Sequence, residues 1–251
     1  MQRYFIEIAY LGTNYSGWQI QPNSVTVQAE LEKALATLLK EDIITTGAGR
    51  TDSGVHASFF VAHFDSSKKN LNWDQNLLFS LNEVLPKDIS VKEIVAVKPD
   101  AHARFSAISR TYQYRIARSK DPFHIETSWL LKTKLDMEKI KLATDMLLLN
   151  TDFSSFCKTG TETKTNNCKI FLATWDQKEN QLIFTIRADR FLRNMVRAIV
   201  GTLVEVGRNR ISPDEFAQII DLKNRSAAGP SAPPEGLILT NIEYPVDLFQ
   251  E

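Results

Sequence analysis

The sequence has little that would hold a metal, a disulfide or a membrane. Only two cysteines occur in 251 residues, Cys157 and Cys168. They form no Cys-x-x-Cys pair and have no histidine cluster nearby, which argues against a structural zinc site. A chain this long buries most of its apolar surface without cross-links, so both thiols are expected to be reduced and inert. No grouping of His, Asp, Glu and Cys has metal-ligand spacing, and no metal is expected. No apolar run approaches the roughly 18 residues of a membrane span. At the N-terminus, Glu7 interrupts the apolar run before a signal-peptide core can form, so the chain is expected in the cytoplasm.

Other signatures are missing too. No tandem repeat or low-complexity segment occurs. No Gly-Lys-Ser/Thr follows the glycine-rich stretch, so it is not a phosphate loop. The dinucleotide fingerprint fails on spacing, and no Gly-x-Ser-x-Gly elbow is present. Net charge is absent as well: Lys+Arg and Asp+Glu are both 30. Bulk charge therefore gives no hint of nucleic acid.

Charge is nevertheless segregated. His102 to Lys120 holds five bases (Arg104, Arg110, Arg115, Arg118, Lys120) and no acid. Arg187 to Arg210 holds six arginines against Asp189 and Glu205, while Asn241 to Glu251 carries three acids and no base. Such clusters supply phosphate contacts or simply form solvated faces.

At 43% hydrophobic and 24% charged, the composition is that of an ordinary globular protein of one large or two small domains. Tyr4, Ile6, Ile8 and Tyr10 alternate over a strand at 3–11. Val27, Leu31, Leu35 and Leu38 mark an amphipathic helix with Thr26 as N-cap. Further strands are expected at 58–64, 89–98, 104–117, 168–175, 181–188 and 237–244. Helices are expected at 74–84, 136–148, 191–206 and after Pro213. The three prolines and two glycines of Ala227–Gly236 exclude regular structure. Strands and helices mix without strict alternation, which favours α+β with a mainly antiparallel sheet. The segment 119–135 is the candidate boundary, dividing the chain into halves 1–118 and 119–251.

Gly47-Ala-Gly-Arg50-Thr-Asp52-Ser-Gly54 is the most informative stretch. Small residues leave the backbone open to an approaching ligand. In an extended segment Arg50 and Asp52 point the same way, and a carboxylate there can act as nucleophile or base. The same Asp-Ser-Gly also fits a plain Asx-turn. In the helix 191–206, Leu192, Met195, Val196, Ile199 and Leu203 form an apolar stripe, with Arg190, Arg193 and Arg197 along one flank. Arg197 is the lone charge between Met195 and Val204. If buried it needs a carboxylate, for which Asp52 is the candidate; otherwise it snorkels to the surface. Tyr112 and Tyr114 share one face of a strand flanked by Arg110 and Arg115. They either stack on a nucleobase while the arginines hold phosphates, or pack as core tyrosines.

Six blocks in order resemble the tRNA pseudouridine synthase A family. They are Tyr10-x-Gly12-Thr-x-Tyr15-x-Gly17-Trp18-Gln-x-Gln21-Pro22, Thr26-Val27-Gln28, and Gly47 to Ala57 with Arg50, Asp52 and His56. Then come Leu81-Asn82 and Leu85-Pro86 with His102-Ala-Arg104-Phe-Ser-Ala and Tyr112, Phe191-Leu-x-Asn-Met195-Val-Arg197, and Ala228-Gly-Pro with Ala232-Pro-x-x-Gly236-Leu237. The resemblance implies Asp52 as catalytic aspartate, Arg197 as its partner and Tyr112 as the residue stacked on the flipped uracil. It implies Arg50 as the residue that helps extrude the nucleotide and Leu237 as the aliphatic lid over the base, with His56, Arg104 and Arg110 as further substrate contacts. It implies the pseudouridine synthase fold: two similar mixed halves sharing a large, mainly antiparallel sheet with helices packed on it and the catalytic cleft between them. The expected reaction isomerises uridines 38, 39 and 40 in the anticodon arm of tRNA, with no cofactor, by a homodimer. Two positions depart from the pattern: Ala101 where a Phe is usual and Thr151 where a His is usual. A non-catalytic RNA-binding homologue is the alternative, as is a carboxylate-dependent hydrolase or phosphatase, although no acidic cation-binding cluster supports a phosphatase.

Overall fold

The computed structural model describes residues 1–160, 164–178 and 180–249. The fold is α+β, and its strands pair mainly antiparallel. The chain divides into two compact units, Met1–Ser109 with Leu239–Glu251, and Arg110–Ile238. The break thus precedes the expected 118/119 boundary, and the last segment returns to the first unit. A boundary placed by loop composition misses this return, because the final strand carries no local mark of its partner.

In the first unit, β1 (Gln2–Tyr10) pairs antiparallel with β3 (His56–Ser66) and β4 (Ile89–Val97), and β2 (Thr46–Gly47) adds to β3. The alternation of Tyr4, Ile6, Ile8 and Tyr10 puts one face of β1 into the core. Phe5, on the opposite face, is buried too, because Tyr244 and Phe249 cover it at 5.0 and 6.3 Å between ring centroids. Helix α1 (Val27–Leu39) starts where Thr26 accepts the Ala29 N–H, and buries Val27, Leu31, Ala34, Leu35 and Leu39. Helix α2 (Gln75–Val84) starts at Asp74, whose side chain accepts the Leu77 N–H. Each fully buried Leu or Ile contributes roughly 1.5–3 kcal/mol of transfer free energy.

In the second unit, β5 (Ser109–Ala117) pairs antiparallel with β8 (Gln181–Ala188), which pairs antiparallel with β7 (Ile170–Lys178). The short β6 (Trp129–Leu130) joins β5 in parallel. The β-rich reading of 104–117 shortens to β5, because 102–106 folds as a turn. Helices α3 (Met137–Asp145), α4 (Met195–Gly207) and α5 (Pro213–Asp221) complete the unit. Ser212 and Glu215 close a reciprocal capping box on α5. The helix expected at 191–206 begins later, since Asn194 takes a left-handed φ of 64° and ends the preceding turn. Arg190 and Arg193 therefore lie outside α4, and the expected flank of three arginines does not form. The strand β9 (Leu237–Glu243) carries the chain from the second unit back into the first. Among the described residues no helix is long and apolar enough to cross a membrane. Both cysteines are buried thiols, and burial pushes that of Cys168 up to about 12.

Candidate active site

The first unit builds a loop that presents Asp52. Strand β2 feeds it, and Glu32 on α1 fixes the approach by accepting the Thr45 N–H and hydroxyl at 2.7 and 2.9 Å. Beyond Asp52 the chain turns at Ser53-Gly54, with the Val55 N–H donating to the Asp52 carbonyl at 3.1 Å and Gly54 at φ +76°. The turn expected from Asp-Ser-Gly is thus present and closed by backbone. Asp52 is half-buried, and Arg50 beside it is exposed.

A second loop, 11–18, lies directly against this one. The Tyr10 and Thr51 hydroxyls bond at 3.0 Å, and the Tyr15 carbonyl accepts from the Ser53 hydroxyl and the Gly54 N–H. Gly17 has φ +87°, and a Cβ there would lie 2.2 Å from the Thr51 carbonyl oxygen. Only glycine permits that approach. Asp88 anchors the far side of the loop, taking the Tyr15 hydroxyl at 2.5 Å and the Asn14 amide at 3.1 Å. Trp18 is buried with its ring 4.3 Å from that of Phe60. The aromatic-rich loop that reads as irregular in the sequence is therefore the brace of the Asp52 loop.

His56 is buried at the start of β3, and its Nδ1 accepts the Gly12 N–H at 2.9 Å. It acts here as a positioning residue that ties the two loops, not as a surface contact. Arg104 is exposed in the turn before β5, its guanidinium 5.5 Å from the Phe105 ring centre.

The second unit carries Tyr112, Arg197 and Leu237 on elements bolted together. Arg197 is the only residue of α4 that is not buried. Its Nε donates to the Ala232 carbonyl at 2.8 Å, and the Ala232 N–H returns to the Arg197 carbonyl at 2.9 Å. The loop 228–232 runs along α4 so closely that a Cβ on Gly201 would lie 1.7 Å from the Pro230 carbonyl oxygen. Tyr114 completes the clamp, donating its hydroxyl to the Pro233 carbonyl at 2.7 Å. Burial raises its phenol pKa, and Glu235 adds to that while Arg197 opposes it. Leu237 follows this loop and is buried.

The two tyrosines of β5 thus divide their roles. Tyr114 is a core tyrosine, fully buried. Tyr112 is half-buried, with Phe191 edge-on at 5.2 Å, and retains surface with which to meet a ligand. Arg110 is half-buried and donates to the Asp189 carbonyl at 2.8 Å. Arg208 and Arg210 are engaged by Glu205 at 2.7 and 3.0 Å, which removes part of the positive charge expected from the 187–210 cluster. Among the described residues no group of three or more His, Cys, Asp or Glu is placed to hold a metal ion.

Comparison with known proteins gives a consistent set of relatives. Residues 7–106 and 145–245 match a family described as tRNA pseudouridine synthase. The chain is 53% identical to tRNA pseudouridine synthase A of Bacteroides fragilis, an alignment covering 100% of this chain and 99% of that protein. It is 51% identical to the enzyme of Parabacteroides distasonis, covering 99% and 98%. It is 49% identical to that of Porphyromonas gingivalis, covering 99% and 100%.

Proposed function

We infer the chemistry of this chain from one premise: it belongs to the tRNA pseudouridine synthase family, and it is an isomerase that converts uridine in tRNA to pseudouridine. The observation that carries this is 53% identity to a synthase of the same name from end to end. The proposed targets are uridines 38, 39 and 40 in the anticodon arm.

The target base leaves its stack before its glycosidic bond can be reached, at a cost of a few kcal/mol. Arg50, exposed beside Asp52, holds the gap. Tyr112 and Leu237 take the base between them. Asp52 then initiates cleavage of the N1–C1′ bond, the uracil turns, and C5 bonds to C1′. The C5 proton is lost and N1 gains one, so the product is an isomer and no redox partner is needed. Arg197 is the proposed partner that aims Asp52. Arg110 and Arg104 contact the RNA backbone, and His56 positions the loop. The brace of loop 11–18 supports the reading, because a carboxylate that must act on one bond needs a fixed address.

We place the enzyme in the cytoplasm as a homodimer. Sedimentation velocity should give twice the mass of the chain, and a monomer at micromolar concentration would count against the dimer.

Pseudouridine mapping on unmodified tRNA, with wild type and with Asp52→Asn, tests the reaction. Pseudouridine in the anticodon arm from wild type is expected, with loss of at least roughly 10²–10⁴-fold in rate for the variant. Equal product from both would remove Asp52 from the chemistry, and bound tRNA with no product from either would make the chain a non-catalytic binder.

A further inference from the structure

The turn 102–106 presents an aromatic ring to solvent from a rigid support. Phe105 is 76% exposed. A floppy exposed phenylalanine would be unremarkable, but this one stands on a turn whose N–H groups from His102 to Ser106 are all bonded. The His102 N–H donates to the Ser106 hydroxyl at 3.0 Å, and the Ser106 N–H returns to the His102 carbonyl at 2.9 Å. The imidazole Nδ1 of His102 accepts the N–H groups of Arg104 and Phe105 at 3.1 and 3.3 Å. Below it, Nδ1 of His63 accepts the Ala103 N–H at 3.1 Å, and the Tyr244 hydroxyl donates to the Ala103 carbonyl at 2.6 Å. The Arg3 guanidinium holds the Ala101 carbonyl at 3.0 Å.

The surroundings of the ring select its partner. The His102 ring lies 4.4 Å from one side of it, and the Arg104 guanidinium lies 5.5 Å from its centre. No acid occurs from His102 to Lys120. A preorganised aromatic face next to a guanidinium in an acid-free segment suits a planar, electron-rich ring attached to a phosphate, which is an unpaired nucleobase.

We propose that Phe105 is a stacking platform for an unpaired nucleobase of the tRNA, with Arg104 holding the adjoining phosphate. This rests on the reading of the chain as a tRNA-modifying enzyme and adds a recognition point to it. The base gains stacking area on a ring that loses little freedom on binding, so affinity depends on aromaticity at this position and not merely on apolar bulk.

The test measures Kd for an unmodified anticodon stem-loop by filter binding, separately from turnover, for wild type, Phe105→Leu and Phe105→Trp. Thermal unfolding confirms that each variant is folded. Phe105→Leu is expected to raise Kd about 5- to 100-fold with kcat within about 3-fold, and Phe105→Trp to bind within about 3-fold of wild type. Unchanged Kd in Phe105→Leu overturns the platform, as does an equal loss in Phe105→Trp. A variant that binds RNA normally but loses self-association also overturns it, making the ring a contact between copies. Wild type that binds the arm without making pseudouridine overturns the proposed reaction, while the Kd comparison still decides the platform.

Discussion

At the scale of single residues, the proposed chemistry divides between one carboxylate and one guanidinium whose surroundings are very different. Asp52 sits on a loop of small residues where backbone and hydroxyls do the bracing. Arg197 emerges from a helix whose every other residue is buried, so its direction is fixed by packing and by the bond from Nε to Ala232. Arg197→Met should lower kcat at least about 100-fold while Kd for tRNA changes less than about 5-fold, because the proposed contact is to Asp52 and not to RNA. Single-turnover kinetics with a separate binding curve reads both, and equal loss in the two would place Arg197 in binding. The lone charge in an apolar run is legible in the sequence, whereas its bond to Ala232 is not, since Ala232 lies in a loop 35 positions away.

Elements decide how firmly the site is held. In the sequence the glycines of the 47–54 loop leave the backbone open to a ligand, but in the fold Gly12, Gly17 and Gly47 are points of close approach within the protein. At Gly17 the left-handed φ and the 2.2 Å approach to the Thr51 carbonyl leave no room for a methyl group. Gly17→Ala should destabilise the protein by at least roughly 1–3 kcal/mol and lower turnover about 100-fold or more by displacing the adjoining Asp52. Chemical denaturation with an activity assay checks both, and a variant of wild-type stability and activity would sink the brace. The helix ends show the limit of periodicity. The apolar stripe runs through Leu192 into α4 without a break, but Asn194 at φ 64° stops the helix between them. Asparagine is among the few residues that tolerate that conformation, and its amide here donates to the Ser231 hydroxyl at 2.6 Å, 37 positions away. A helical count of side chains does not contain that bond, so the flank of three arginines was an artefact of continuing the period.

For the whole molecule, His63 of the first unit makes stability depend on pH in mild acid. His63 must stay unprotonated at Nδ1 to accept the Ala103 N–H. Its pKa falls from 6.5 to about 4, chiefly through burial, with Arg3 and His102 also lowering it and Asp65 opposing. As pH falls from 6.5 towards 4, the unfolded chain takes up a proton at this position that the folded chain does not. Stability from His63 is thus full above 6.5 and lost as pH falls towards 4. The melting temperature should drop over that window, and His63→Asn, which keeps an acceptor without titrating, should reduce the drop by roughly 2–8 °C. Parallel melting curves from pH 7.5 to 4 decide this; identical pH dependence in the two proteins would remove His63 as its source.

By itself the sequence determined the class of fold and marked the candidate site residues. Alternation over β1, the Thr26 cap of α1 and the spacing of α5 are local, and each is a property of neighbours in the chain. The Gly47–Gly54 loop and the lone Arg197 are also local signals, made specific by the order of blocks around them. Only the tertiary structure decided which of two tyrosines on one face stays open, which side of His56 is used, and where the units divide. It also revealed Phe105, a residue inside a familiar block to which the sequence attached no role. Each of these depends on groups far apart in the chain, such as Tyr114 with Pro233, His56 with Gly12 and Ala103 with His63. Burial and hydrogen bonding across such distances are settled by packing, and periodicity carries no record of them.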